Sequence, residues 1–308
     1  MIHFFRLIRI INLFIIAFTM VGVAFYLFNN NNYQKIDFDF LDYGLLVFST
    51  VIIAAAGNMI NDYFDIKADR INKPEKLIIS KYMKKRWAIV LHWGLNVIAV
   101  LISIYLSIKY ESLLFVFIHI TSMNLLWFYS AYFKKKLLIG NIIIACLTAL
   151  VPLLSIWFFK TLNESSLPYS PFHEDTWSTK IDYHYIYFLT FCAFFQNLAR
   201  EISKDIQDIS GDKVISVYSL PMKYGVYKTG ILVGVLLQLP IVIWFYYFIQ
   251  YNLELNLISV VLLLISACLN LFCFLLILFR RDYPFKLINS LIKWSMFVGL
   301  ATLFSNIP

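Results

Sequence analysis

Charge is scarce in this chain: only 14% of its 308 residues are Asp, Glu, Lys or Arg, well below the share in an ordinary soluble domain. A sequence so poor in charge and polarity cannot be a disordered one. Glycine (10) and proline (8) are also few, which excludes collagen and low-complexity linkers. The four cysteines, Cys146, Cys192, Cys268 and Cys273, lie inside apolar runs with no CxxC and no flanking His. They read as small packing residues, neither a secreted disulfide framework nor a thiolate metal site. No small-residue cleavage site follows the apolar run after Arg6 and Arg9, so that run reads as a retained first helix.

What the chain has is apolar bulk. Hydrophobic residues make up 61% of it, with 29 Phe, 20 Tyr and 7 Trp, against roughly 45–50% apolar in soluble domains. Apolar windows fall at about 8–28, 43–64, 87–108, 112–131, 138–159, 183–201, 226–249, 255–279 and 285–305. Each can span a bilayer, which takes about 20 residues. The expected fold is all-α: a polytopic membrane protein, residues 1–308 forming one domain of nine transmembrane helices.

The net charge of +8 would suggest nucleic acid in a soluble protein, but in a membrane protein it reports topology. Two bases precede the first span, eight lie between the second and third, three between the fourth and fifth, five between the sixth and seventh, and three between the eighth and ninth. These 21 share one face, whereas the other face carries four, and Lys293 sits within the last span. The positive-inside rule then places the N-terminus in the cytoplasm and the C-terminus outside. The bilayer is the expected partner and nucleic acid is not.

Two carboxylate triplets interrupt this pattern. Asp62, Asp65 and Asp69 are spaced i, i+3, i+7, which sets them on one helical face with Asn58 one turn earlier. Asp205, Asp208 and Asp212 repeat the spacing 143 residues later. A single acidic triplet is usually a solvated face. Two of them, each at the cytoplasmic end of an apolar span, point to function. Like charges in such register repel and require a positive partner. Magnesium fits, because it is held by one or two carboxylates together with substrate phosphates, and two clusters provide for two ions flanking a diphosphate. Neighbouring Lys67, Arg70, Lys73, Lys76, Arg200 and Lys204 can pair with phosphate oxygens. No His or Cys stands near either motif, which argues against zinc.

The string Asn61-Asp62-x-x-Asp65-x-x-x-Asp69-x-x-Asn72-x-Pro74 resembles the first signature of the UbiA superfamily of intramembrane prenyltransferases. Arg200-Glu201-x-x-Lys204-Asp205-x-x-Asp208-x-x-Gly211-Asp212, followed by Leu220-Pro221, resembles the second. Arg9 and Asn12 match the first helix of that family, with Ile10 where proline is usual, and Tyr129, Ser130, Gly140 and Asn141 resemble its 4–5 loop. Downstream of Pro74 the chain departs, with Lys76, Leu77 and Lys81 where the family commonly has N-x-P-x-R-P and glycine. The resemblance implies Mg2+-dependent prenyl transfer from an allylic prenyl diphosphate donor, in a cytoplasmic membrane of prokaryotic type.

On that resemblance Asp62, Asp65, Asp205 and Asp208 are the principal magnesium ligands, with Asp69 and Asp212 as ligands or their neighbours. Asn58 and Asn61 contact diphosphate or metal, and Lys67, Lys73, Arg200 and Lys204 clamp the diphosphate. Tyr129 faces the cationic carbon. Asn12 lines the pocket or makes an interhelical hydrogen bond. Two acceptor classes stay open. The second signature is most like that of geranylgeranylglycerol-phosphate geranylgeranyltransferases, and it is also similar to quinone-pathway enzymes whose acceptor is a naphthoate, benzoate or homogentisate. A cation transporter or channel is the alternative of another class. It would need acids at mid-helix and matched broken helices, and a structural membrane subunit would leave the repeated spacing without a reason.

Overall fold

The computed structural model describes residues 2–30, 38–72, 74–165, 183–214, 217–251, 255–279 and 284–305. Lys73, the bases Lys35, Lys180, Arg280 and Arg281, and most of the expected 160–182 outer loop lie outside those residues.

A short helix α1 (Ile2–Leu7) leads into α2 (Ile10–Asn30). There follow α3 (Phe40–Asn72), α4 (Lys85–Lys109), α5 (Leu114–Ala131), α6 (Ile139–Ser165), α7 (His184–Val214), the short α8 (Leu220–Tyr224), α9 (Val226–Tyr251), α10 (Leu257–Phe279) and α11 (Phe285–Ser305). The nine long helices among the described residues coincide with the nine expected spans to within a few residues at most boundaries. Among the described residues, eight of them contain an apolar stretch long enough to cross a membrane. The exception is α7, which is apolar through Ala199 and then continues as helix through the charged second motif. Likewise α3 runs 33 residues, carrying the first motif on its last three turns. Both acidic triplets are therefore helical extensions of spans, not loops.

The long helices pack in a closed circuit, α2 on α3, then α4, α5, α6, α7, α9, α10, α11 and back to α2, with α3 also crossing to α7 and α2 to α6. At the end remote from the acidic motifs an aromatic cluster fills the middle of the circuit. Phe38 stacks on Phe159 at 5.4 Å between ring centroids, and Tyr43 meets Phe158 at 5.3 Å. The Tyr43 hydroxyl lies 2.6 Å from the Met20 carbonyl oxygen and 3.0 Å from Ser155 Oγ, so its polar end is satisfied inside the bundle. Beside this cluster, fully buried Asp42 accepts from Lys109 at 2.6 Å, Tyr110 at 2.6 Å and Tyr105 at 3.1 Å. A carboxylate buried this deeply is tolerated only with such a set of donors.

The expected 8–28 span is α2, which begins two residues later, and the short α1 before it ends in a turn at Ile8–Arg9, with Arg9 at φ 56°. Leu138, just before α6, is also left-handed at φ 62°. Non-glycine residues take this conformation only where surrounding contacts impose it. Both are next to the site described below.

Candidate active site

The circuit of helices encloses a cavity of about 260 Å³. Its inner part is mostly apolar, walled by residues such as Ile53, Ile118, Leu126, Leu150, Val151 and Leu154, with Thr50, His119, Ser122 and Thr148 among its polar residues. Its other end is polar and lies between the charged ends of α3 and α7, where Arg9, Asn12, Asn58, Asn61, Tyr129, Asn197, Arg200, Glu201 and Lys204 line it. A pocket apolar inside and charged at its rim suits a ligand with a hydrocarbon chain and an ionic head.

The two acidic helices meet directly at their ends. Asn72 Nδ2 donates to the Asp208 carbonyl oxygen at 3.1 Å, and its Oδ1 accepts from the Gly211 N–H at 2.8 Å. Glycine is required at 211 by this approach: a Cβ there would lie 2.3 Å from Asn72 Nδ2 and 2.8 Å from the Ala68 carbonyl oxygen. The first motif is thus fastened to the second through one amide side chain.

Each triplet has cations or amides on its carboxylates. Arg9 Nη2 donates to Asp62 Oδ1 at 2.7 Å, and the left-handed turn at Arg9 is what aims the guanidinium there. Lys134 donates to Asp65, a buried carboxylate that also accepts from Asn61 Nδ2 at 3.0 Å. Asn141 Nδ2 donates to Asp205 Oδ2 at 2.9 Å. Burial lowers the affinity of Lys134 for its proton, but the Asp65 carboxylate outweighs it and holds the ammonium above its ordinary pKa. On α7, burial pushes the Asp205 carboxyl up to about 7 although the Asn141 amide pulls it down. Burial, with Arg200 next to it, pulls Lys204 down to about 7. Asp208 and Asp69 are half-buried and Asp212 is buried.

The remaining sequence-derived residues fall into three groups. Tyr129 lines the cavity, with its ring edge 3.1 Å from where a Cβ on Gly140 would sit, so the small residue at 140 admits the ring. Asn58 and Asn12 also line the cavity, Asn58 donating to the Ile8 carbonyl oxygen at 2.9 Å. Lys67 is exposed and outside the cavity lining, and Lys73 lies outside the described residues. Sequence reasoning gave no role to Lys134, counted only as a topology charge, or to Asn141 and Glu201, quoted only within strings. Their tasks depend on partners 60 or more residues away, or on a buried setting, and no local spacing signals that.

Among the described residues no three His, Cys, Asp or Glu side chains stand together as a ready-made metal cage. The donor set nevertheless fits magnesium: it is all oxygen, from carboxylates on two facing helix ends, and buried Asn61 Oδ1 accepts no hydrogen bond. The same buried rim holds a donor suited to an anion, since Arg200 Nε has no hydrogen-bond partner.

Comparison with known proteins agrees with this geometry. The model of the UbiA prenyltransferase family matches residues 15–297. A digeranylgeranylglyceryl phosphate synthase of Sulfurisphaera tokodaii is 32% identical over 233 residues, 75% of this chain and 73% of that protein. One from Thermococcus sibiricus is 30% identical over 200 residues, 65% of this chain, and the match spans only 62% of that relative's length. The fold is that of a solved structure concerned with digeranylgeranylglyceryl phosphate synthase (TM-score 0.66, 24% identity, 99% of this chain and 97% of that one). It also matches a UbiA homologue from Archaeoglobus fulgidus bound to GPP and Mg2+ (TM-score 0.62, 17% identity, 99% of each chain). With nine long helices, two acidic helix ends bridged by Asn72 and a cavity beneath them, this integral membrane protein belongs to the UbiA prenyltransferase family.

Proposed function

We propose that the protein transfers a prenyl group from an allylic prenyl diphosphate to a lipid acceptor, geranylgeranylglycerol phosphate, at the membrane. The observation that carries this reading is the pairing of two aspartate helices, fastened through Asn72, over a cavity that turns apolar inward. The relatives named as digeranylgeranylglyceryl phosphate synthases support the acceptor, and the magnesium and prenyl diphosphate bound by the Archaeoglobus homologue support the donor.

Asp62, Asp65, Asp205 and Asp208 would hold magnesium, two ions on this reading, with Asp69, Asp212 and Asn61 at their margin. Bound there, the metal supplies charge stabilisation for the departing diphosphate. The chain's own residues do the rest. The apolar wall takes the prenyl chain and keeps water from the reacting carbon. Tyr129 presents an aromatic face, worth roughly 1–2 kcal/mol to a desolvated cation. Asn141 and Lys134 orient Asp205 and Asp65, and Lys204 offers a proton-bearing group to the leaving oxygens. In the reaction the allylic C–O bond to diphosphate breaks, a new C–O bond to the acceptor hydroxyl forms, and the hydroxyl proton is released. The acidic ends face the cytoplasm on this reading.

The test is turnover by purified protein in detergent with magnesium, labelled geranylgeranyl diphosphate and four acceptors: geranylgeranylglycerol phosphate, dihydroxynaphthoate, hydroxybenzoate and homogentisate. Diphosphate release with the first acceptor is expected, and Asp62→Ala and Asp205→Ala should each lower kcat at least a hundredfold. Preference for an aromatic acceptor would move the assignment to the quinone-pathway enzymes, and full turnover by either variant would remove the metal-site assignment.

A further inference from the structure

Between Glu75 and Glu111 the sequence has no acidic residue, yet Lys81, Lys84, Lys85 and Arg86 fall within six consecutive residues. All four are exposed and none lines the cavity. Among the described residues none of them makes an ion pair. The prenyl-transfer reading leaves them without a task. The preference for bases on the cytoplasmic face accounts for the side of the membrane they are on. It requires no fixed arrangement of them, and the structure has one.

The segment that carries these bases is folded onto the bundle. The Ser80 N–H donates to the Met83 carbonyl oxygen at 2.8 Å and the Tyr82 N–H to that of Ile78 at 2.9 Å, with Ser80 left-handed at φ 77°. Ile78 and Ile79 of this turn are buried in one apolar cluster with Leu7 of α1, Met59 of α3 and Ala88 of α4. His3 of α1 stacks on Tyr82 at 3.8 Å between ring centroids. The turn, α1 and the start of α4 thus make one platform, and the four bases are held on it close together.

An apolar strip continues from the bases. Trp87, Val90, Trp93 and Val97 share one face of α4 by their helical spacing and are 51–55% exposed. Because α4 is long and apolar enough to cross the membrane, this face meets lipid tails. Tyr82 and Trp87, both about half exposed, flank Lys84, Lys85 and Arg86, and such rings favour the boundary between head groups and hydrocarbon. Bases clustered at the cytoplasmic start of a spanning helix attract anionic lipid head groups. Cationic cluster, aromatic boundary and apolar strip follow one another in the order of an anionic lipid's own head, neck and tails. An acidic soluble polypeptide would use the bases and leave the strip without a partner.

We propose that residues 78–87 and the adjoining face of α4 form a binding site for an anionic phospholipid of the surrounding leaflet. Its phosphate would lie on Lys81, Lys84, Lys85 and Arg86, and its tails along Trp87, Val90, Trp93 and Val97. The site is outside the cavity, and it is independent of which acceptor is prenylated.

The experiment titrates purified protein in detergent with phosphatidylglycerol or phosphatidylcholine and counts bound lipid by native mass spectrometry. Wild type should bind phosphatidylglycerol about tenfold more tightly than phosphatidylcholine. Lys85→Gln/Arg86→Gln should lose about fivefold or more of the phosphatidylglycerol affinity. Lys223→Gln/Lys228→Gln, which neutralises two exposed bases elsewhere on the same face, should stay within twofold of wild type. Both variants should melt as wild type does, since the replaced side chains are exposed. Raising salt from about 0.05 to 0.5 M should weaken wild-type binding severalfold, a measurement that needs no variant. Equal affinity of wild type for the two lipids would overturn the proposal. Equal losses in the two double variants would also overturn it, by leaving only the general charge of the basic face. Displacement of phosphatidylglycerol by geranylgeranyl diphosphate would overturn it by placing the lipid in the cavity. Displacement by an equal concentration of polyglutamate would overturn it by assigning the bases to an acidic polypeptide.

Discussion

On the proposed reading Lys134 shares the Asp65 carboxylate with a metal ion. Its ammonium rests on a carboxylate that is 6% exposed and that also accepts from Asn61. Removing one member of a fully buried ion pair costs about 3–5 kcal/mol. The Lys134 side chain is 26% exposed, so Lys134→Met should cost less, about 2 kcal/mol. The charge left on Asp65 then lacks its paired cation, and a bound metal would replace it. Magnesium should therefore stabilise the variant more than wild type, by mass action on the folded state. Melting curves in detergent with and without millimolar magnesium check this, and an equal magnesium-induced shift in the two proteins would sink the idea. Asn141 is the corresponding handle on Asp205, through a 2.9 Å hydrogen bond. Asn141→Leu keeps the volume and deletes the donor. It should raise the magnesium concentration for half-maximal turnover severalfold, whereas unchanged magnesium dependence would mean that Asp205 needs no such guide.

At the level of helices the site depends on how close α3 and α7 can come. Gly211 sets that distance: an added methyl would press on the Ala68 carbonyl oxygen at 2.8 Å, backbone that cannot swing aside, as well as on Asn72. Gly211→Ala should push the helix ends apart and cost about 1–3 kcal/mol through overpacking. It should also weaken magnesium and donor binding together, because both motifs move. Asn72→Ala removes the bridge without adding bulk, and should reproduce the binding loss with less effect on stability. If Asn72→Ala binds donor as wild type does, the bridge is structural only. This close approach is where the sequence stops being readable. The 3.5-residue pattern of Asp62, Asp65 and Asp69 shows a helical face, and the shared spacing of the second triplet shows a relationship. Neither shows that Asn72 reaches across 139 positions to the Gly211 amide. The break at Arg9 was hidden for the same reason. An apolar window reports how long a helix can be, whereas the left-handed turn there carries an ion pair with Asp62, 53 positions away. By contrast the α7 span was readable because its apolar stretch ends near Ala199 while helical spacing continues to Asp212.

Across the whole molecule, composition and charge place the spans, and the closed circuit of helices gives the charges their meaning. The bases that crowd one face surround the open, polar end of the cavity, whereas the opposite end is filled by the Phe38, Tyr43, Phe158 and Phe159 cluster and the buried Asp42 carboxylate. A membrane-soluble diphosphate must then be met on the basic face, and the positive-inside rule assigns that face to the cytoplasm. Orientation can be tested independently of activity. Glu75, in the turn after the first motif, is exposed on the basic face, and Leu113, 82% exposed between α4 and α5, is on the other. With the four native cysteines replaced by alanine or serine, Leu113→Cys should react with a membrane-impermeant maleimide added to intact cells. Glu75→Cys should react only after the membrane is opened. The reverse pattern would turn the site outward and would overturn the orientation while leaving the internal geometry as it stands. The reaction needs both, since a charged donor cannot reach the two aspartate helices through the apolar end of the bundle.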